Sequence, residues 1–129
     1  MAEGDGDMKN KKLVLVVDDD TGIQNLTRDI LELYGHSVLV VGGRDEAIKL
    51  CERRGKEISV VLLDVMRSET AAFDVYRRIM EINPAANVIL SGVGSHFADD
   101  RVSFGQGTAL FLKKPYRMTE LLRMVECPQ

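Results

Sequence analysis

The sequence lacks several features that would point to a particular class of protein. Its two cysteines, Cys51 and Cys127, do not have the close spacing of metal or redox sites, so we expect free thiols in a reducing cytoplasm. No apolar stretch approaches the roughly 18 residues of a membrane span, and the first residues lack the basic-then-apolar layout of a secretion signal. The net charge is only −3 with both signs scattered, which gives no electrostatic case for binding nucleic acid or an anionic membrane surface.

Histidine is also scarce, and its placement is uninformative about chemistry. His36 and His96 have no acid or cysteine at a spacing that argues for a metal site or for catalysis, and we expect both at the surface.

The length of 129 residues allows one domain with a single sizeable core. The fractions of hydrophobic residues, 45%, and of charged residues, 29%, are those of an ordinary globular protein.

Acidic residues close two short apolar runs of the kind that form buried strands in parallel sheets. Asp18, Asp19 and Asp20 follow the run 13–17, and Asp64 follows the run 58–63. The carboxyl ends of such strands are where open α/β sheets bind ligands, and acids crowded there repel each other unless a cation lies between them.

A third apolar run, 110–112, is followed by positive charge instead, at Lys113, Lys114 and then Pro115. Acids after two strands and a lysine after another indicate a site for a metal ion and a phosphoryl group. The turn after the first strand is acidic and has no Gly-rich phosphate loop, which argues against dinucleotide binding.

Strand-like and helix-like segments alternate from Leu13 onward, whereas residues 1–12 are polar and aperiodic and are expected to be a disordered leader. We expect a short helix within 95–107, although its apolar residues form no clean stripe. The pattern predicts strands at 13–17, 38–41, 58–63, 88–91 and 109–112, and helices at about 23–34, 44–54, 73–82 and 118–125. Five strands alternating with helices favour a doubly wound parallel sheet with helices on both faces and the five-strand, flavodoxin-like order 2-1-3-4-5.

These motifs together resemble those of a response-regulator receiver domain, over residues 13–126. The matching residues are Asp18 and Asp19 after the first strand, Asp64 after the third, Lys114-Pro115 after the fifth, and Phe111 three positions before the lysine. The segments 81–84 and 111–116 look most like those of receivers in hybrid sensor kinases.

The resemblance implies a phospho-accepting module of a two-component system. Asp64 would take a phosphoryl group from the histidine of a kinase or phosphotransfer protein, and Lys114 would contact Asp64 and then the phosphoryl oxygens. A receiver modifies itself without turning over an external substrate, so we do not expect an enzyme. The resemblance further implies Mg²⁺ as the cofactor, held by Asp18, Asp19, Asp64 and the backbone carbonyl of Met66, a signalling role for Phe111, and a cis peptide bond at Pro115.

The sequence departs from the family pattern at three positions, two of them shortly after Asp64 and one on the fourth strand. Ser68 and Ala72 stand where receivers usually carry proline and glycine. Counting without gaps puts Gly92 at the switch position, where the family has Thr or Ser. Ser91 is one residue earlier, so its side chain reaches the site only if a local bulge turns it there.

Other interpretations of the same residues stay open at this stage. A degenerate receiver would keep the fold and bind a partner without phosphotransfer. A small phosphohydrolase of the haloacid-dehalogenase type would use the Asp-x-Asp of 18–20, but Gly22 occupies the place of its expected Thr. Asp20 or Thr21 could simply cap the first helix, and Phe111 could be an ordinary core residue. The resemblance also implies an output partner of unknown identity.

Overall fold

The computed structural model describes residues 11–65, 68–93, 101–104 and 107–126 of the chain. Within these ranges strands and helices alternate along the sequence as predicted. The strands are β1 Leu13–Val17, β2 Ser37–Val41, β3 Val60–Asp64, β4 Asn87–Gly92, β5 Arg101–Phe104 and β6 Gly107–Lys113. The helices are α1 Thr21–Leu33, α2 Arg44–Arg54, α3 Glu69–Ile82 and α4 Met118–Glu126, with a 3₁₀ turn at Gly55–Glu57 after α2.

The sheet has the order β2-β1-β3-β4-β6-β5. Its first five members are parallel, and they follow the predicted order 2-1-3-4-5 once β6 is counted as the fifth predicted strand. The predicted fold class is therefore confirmed. Because β1, β3, β4 and β6 are parallel, their carboxyl ends meet at one edge of the sheet, and Asp18, Asp64 and Lys114 lie at the ends of β1, β3 and β6.

The prediction of a short helix within 95–107 is wrong for the residues of this segment that the structure describes. Residues 101–104 form β5, which pairs antiparallel with β6 and adds a sixth strand at the edge of the sheet. Arg101-Val102-Ser103-Phe104 alternates between polar and apolar residues, which is the period of a strand. Residues 94–100 lie outside the described residues.

Two hydrophobic clusters cover the two faces of the sheet, as the doubly wound fold predicts. On one face α2 and α3 contribute Ala47, Cys51, Val75 and Ile79, and on the other α1 and α4 contribute Leu31, Leu121 and Val125. The strands supply alternate residues to each cluster because successive side chains of a strand point to opposite faces. In β4, for example, Leu90 belongs to the α2/α3 face and Ile89 to the α1/α4 face.

Local signals in the sequence fix the ends of the helices. The Asp20 carboxylate caps α1 by accepting a hydrogen bond from the backbone N–H of Ile23 at 3.1 Å, and Gly35 follows the helix with a φ of +91° that favours glycine. The Ser68 hydroxyl caps α3 by accepting from the N–H of Ala71 at 3.0 Å. Ser68 therefore provides a side-chain start signal for the helix that follows the acidic residue Asp64.

The expectation that His36 lies at the surface is wrong. Only 4% of it is exposed, its Nδ1 accepts from the backbone N–H of Lys12 at 3.1 Å, and its Nε2 lies 2.8 Å from Oε2 of Glu126. Since Nδ1 accepts, Nε2 carries the proton and donates to Glu126. The ring thus joins the start of β1 to the end of α4. His96 lies outside the described residues.

Among the described residues, none of the helices has the length and hydropathy that crossing a membrane requires.

Candidate functional site

Asp18 is a buried carboxylate at the end of β1. Only 4% of the residue is exposed, and its Oδ1 accepts a hydrogen bond from the N–H of Asp20 at 2.9 Å. Its backbone N–H donates to the carbonyl of Val41 at 3.1 Å, and its carbonyl accepts from the side-chain amide of Gln24 on α1. The side chain is therefore oriented by the turn itself, and the backbone is attached to a neighbouring strand and to a helix.

Asp64 is the last residue of β3 and lies next to Asp18 and Asp19. Its side chain is 8% exposed. One carboxylate oxygen from each of Asp18, Asp19 and Asp64 lies within 4.8 Å of the others. Three carboxylates at this separation fit a divalent cation, and all-oxygen ligation is the donor set that Mg²⁺ prefers. The sequence expectation that these three acids converge is thus matched by the geometry.

Lys114 supplies the positive charge of the site. Its Nζ lies 2.7 Å from Oδ2 of Asp18 and 3.3 Å from Oδ1 of Asp64. Its backbone N–H donates to the carbonyl of Gly92 at 2.7 Å, and the Lys114–Pro115 peptide bond is cis. Burial disfavours the charged ammonium, but the hydrogen bond to Asp18 and the charges of Asp64 and Asp18 outweigh it and raise the pKa of Lys114.

A cavity of about 280 Å³ lies on the α2/α3 side of the acids. The acids form one part of its wall, and Gly42, Gly43 and Arg44 from the start of α2 form another. Ser68 and Ala72, which stand where receivers carry proline and glycine, both line it, and Ala72 is 2% exposed. The two departures after Asp64 therefore shape the space beside the acids.

The register of β4 separates Ser91 from Gly92. Ser91 pairs with Asp64 and Leu112, and Gly92 pairs with Lys113, in a continuous register from Ile89 onward. Ser91 therefore shares a face with Ile89, toward α1 and α4, whereas Gly92 shares the opposite face with Leu90. Because Phe111 is the partner of Leu90, Gly92 and Phe111 lie on the same face of the sheet.

Phe111 is 2% exposed and packs in the hydrophobic cluster on the α2/α3 face. This position fits an ordinary core residue, and its signalling role stays a prediction. Met66, whose backbone carbonyl the resemblance implies as a metal ligand, lies outside the described residues.

Sequence reasoning missed the polar contacts that α1 makes with the site. The hydroxyls of Thr27 and Tyr116 are hydrogen-bonded at 2.6 Å, and Thr27 is fully buried. Burial raises the pKa of Tyr116, the hydrogen bond to Thr27 and the charge of Lys114 oppose this, and the charges of Asp18 and Asp64 raise it further. A signal was present in the sequence, since the polar residue Thr27 lies four residues from both Ile23 and Leu31, on the apolar face of the helix.

Comparisons with known proteins agree with this geometry. The family model for the response regulator receiver domain matches residues 14–126. The transcriptional regulatory protein ResD of Bacillus subtilis (strain 168) is 30% identical over 122 residues, which are 93% of this chain and 49% of that protein. The transcriptional regulatory protein CpxR of Escherichia coli (strain K12) is 28% identical over 113 residues, 87% of this chain and 47% of that protein. The chain thus spans about half the length of the curated relatives it matches.

Solved structures show the same fold. A response regulator from Thermotoga maritima superposes with a TM-score of 0.72 at 27% identity, over 89% of this chain and 94% of that one. A receiver domain protein from Clostridium thermocellum gives a TM-score of 0.75 at 24% identity, over 88% and 90% of the two chains. The family match also decides against the phosphohydrolase interpretation of 18–20. With three carboxylates and a lysine at the carboxyl edge of a doubly wound sheet, and a family model that covers almost all of it, the chain belongs to the response regulator receiver domain family.

Proposed function

We propose that this chain accepts a phosphoryl group on Asp64 from the phosphohistidine of a histidine kinase or phosphotransfer protein. The observation that carries the proposal is the convergence of Asp18, Asp19, Asp64 and Lys114, which lie after three different strands of the sheet. Response regulators as a class receive phosphate from histidine kinases and act on output domains. A kinase as the donor and an output partner of unknown identity are thus part of the proposal.

The proposed transfer is a displacement at phosphorus. A carboxylate oxygen of Asp64 forms a bond to phosphorus, and the bond between phosphorus and the donor's imidazole nitrogen breaks. The electron pair of that bond stays on the imidazole nitrogen, which takes up a proton from solvent. The product is an aspartyl phosphate, and no oxidant, reductant or further substrate is needed.

The residues around Asp64 counter the repulsion between a carboxylate and a phosphoryl group. Asp18 and Asp19 with Asp64 would hold Mg²⁺, and the carbonyl of Met66 is proposed as a further ligand. When bound, the ion neutralises charge on the phosphoryl oxygens. The 3.3 Å distance between Lys114 and Asp64 supports a further role, in which the ammonium would pair with a phosphoryl oxygen on that carboxylate.

The experiment that tests this function measures intact mass after incubation with phosphoramidate, a small donor with a phosphorus–nitrogen bond, and Mg²⁺. We expect a phosphoryl adduct on the parent and none on Asp64→Asn. Asp29→Asn makes the same chemical change at an exposed site on α1, so it should retain the adduct. An adduct on Asp64→Asn equal to that of the parent would contradict the assignment of Asp64.

A degenerate receiver that binds a partner without phosphotransfer is the second candidate. It is favoured by Gly92, which lies on the face of Phe111 and has no side-chain hydroxyl to bond a phosphoryl group. The same mass measurement separates the two candidates. No adduct on the parent, with Mg²⁺ binding demonstrated by calorimetry, would favour the degenerate receiver. Under either candidate we propose a signalling module without substrate turnover, and location in the cytoplasm stays a prediction.

A further inference from the structure

Helix α1 contacts Asp18, one member of the ion pair with Lys114, and it contacts Tyr116, which follows the other member by two residues. Gln24 donates its side-chain amide to the carbonyl of Asp18. Thr27 bonds the hydroxyl of Tyr116, two residues after Lys114, at 2.6 Å. Gln24 and Thr27 are three positions apart and are therefore neighbours on one face of the helix. This face links the turn after β1 to the loop after β6.

Tyr116 is the side chain through which the loop after β6 is attached to α1. The loop begins at Lys114, whose N–H bonds the carbonyl of Gly92 at 2.7 Å, and ends at Arg117, whose N–H bonds Oε1 of Glu120 at 3.3 Å. These contacts fix its ends to the sheet and to α4. Tyr116 lies between them, and its ring packs against the cluster on the α1/α4 face.

Packing alone does not require a hydroxyl on the ring of residue Tyr116. A phenylalanine would fill the same space beside α1, and Thr27 would then be a buried hydroxyl with its partner removed. Thr27 is 0% exposed, so the pair places two polar groups where an apolar contact would suffice. A hydrogen bond allows only a narrow range of lengths and directions, so it restricts the distance of the loop from α1 more closely than an apolar contact does.

We propose that Tyr116 is a positioning residue for Lys114, and that its hydrogen bond to Thr27 holds the ammonium of Lys114 between Asp18 and Asp64. That this matters for phosphoryl acceptance rests on the proposed function. The positioning itself concerns the unmodified protein and can be measured there. Because the loop is held to α1, this helix shares in any displacement of Lys114 when the ammonium exchanges a carboxylate for a phosphoryl oxygen.

The test uses three variants of the full chain, Tyr116→Phe, Thr27→Val and the double variant. Each single variant removes one hydroxyl and breaks the hydrogen bond between the two side chains, whereas the double variant replaces both with apolar groups of similar shape. Stability should therefore fall in Tyr116→Phe and recover in the double variant. A structural role alone would make the function of the double variant recover as well, and a positioning role would not.

The first readout needs no phosphodonor. The ¹⁵N signal of the Lys114 ammonium, assigned by its loss in Lys114→Met, reports exchange of its protons with water. We expect slow exchange in the parent and at least about tenfold faster exchange in all three variants, because an ammonium that leaves its carboxylates becomes accessible to water. Unchanged exchange in the double variant would overturn the proposal.

The second readout is the rate of adduct formation from phosphoramidate with Mg²⁺. We expect about a tenfold loss of rate in the double variant, since small misplacements of a catalytic group are costly. In a Lys114→Met background, Tyr116→Phe should cause no further loss, and an undiminished effect there would overturn the proposal. If the parent forms no adduct, the proposed function fails, and the ammonium exchange alone decides whether Tyr116 positions Lys114.

Discussion

Lys114 and Asp18 form a 2.7 Å ion pair between residues 96 positions apart. They follow β6 and β1, which β3 and β4 separate in the sheet. The pair therefore reaches across the ends of the two central strands, and Asp64, at the end of β3, lies beside it with its Oδ1 3.3 Å from the same ammonium. In this site one ammonium, that of Lys114, contacts two carboxylates, and its contact with Asp18 is the shorter.

Replacing Lys114 with methionine should destabilise the protein markedly. The Asp18 carboxylate would keep its burial and lose its cation, and breaking a buried pair in this way costs about 3 kcal/mol of unfolding free energy. Lys113→Met is the matched control, because Lys113 is the adjacent lysine and is exposed, so the change should stay within about 0.5 kcal/mol. Urea unfolding measures both. Equal losses in the two variants would contradict the importance of the ion pair.

Alkaline pH should remove the contribution of Lys114 to stability. The pKa of its ammonium is raised in the folded protein above the ordinary 10.5, because Asp18 and Asp64 outweigh the burial that lowers it. A raised pKa for a base means that the stabilisation is fully present below pH 10.5 and is lost as the pH rises through the folded value. The stability difference between the parent and Lys114→Met should thus be constant near neutral pH and shrink above pH 10.5. A difference that grows with alkaline pH would show that the sign is wrong.

Mg²⁺ should stabilise the protein through the three acids. An ion that binds only the folded state adds about 2.7 kcal/mol when its concentration is a hundred times the dissociation constant. Thermal unfolding with increasing Mg²⁺ should therefore show a rising midpoint in the parent and a weaker response in Asp19→Asn. Asp29→Asn removes an exposed acid from α1 and should respond like the parent. Identical responses of the two variants would argue against a metal site that includes Asp19.

Removing the imidazole of His36 should cost more stability than neutralising its partner. His36→Ala leaves a cavity and removes partners from the Lys12 N–H and the Glu126 carboxylate, a loss of about 2–3 kcal/mol. Glu126→Gln keeps an acceptor oxygen for the Nε2 proton, so its cost should stay below about 1 kcal/mol. Chemical denaturation of both variants gives the comparison. A His36→Ala variant as stable as the parent would mean that the buried contacts of the ring contribute nothing measurable.

The elements of the fold follow from patterns that are local in sequence. Short runs such as 13–17 and 58–63 have the composition of buried parallel strands, and the helix 44–54 follows from its spacing and its terminal glycine. Asp20 acts as the helix cap that its residue type favours. Strand number and the alternation with helices then restrict the order of the sheet, because parallel strands need right-handed crossovers. The sequence also predicts that the acids and the lysine lie close together, because each follows a strand.

The errors lie where local patterns are weak or where burial depends on distant residues. Residues 101–104 form a strand because β6 offers an edge to pair with, and their own pattern is too short to decide between strand and helix. His36 is buried because α4 covers it and Glu126 meets its Nε2, a residue 90 positions away. Nothing near His36 in the sequence encodes that contact.

Residue types and their positions relative to the strands are enough to predict the receiver family, the parallel sheet, and the acids and the lysine of the site. The partners of these residues follow only from the folded structure. It put Lys114 closer to Asp18 than to Asp64, placed Gly92 rather than Ser91 on the face of Phe111, and joined Tyr116 to Thr27. Distances of a few ångströms between residues from different strands depend on how the sheet twists and how the helices pack on it, and no local pattern specifies them.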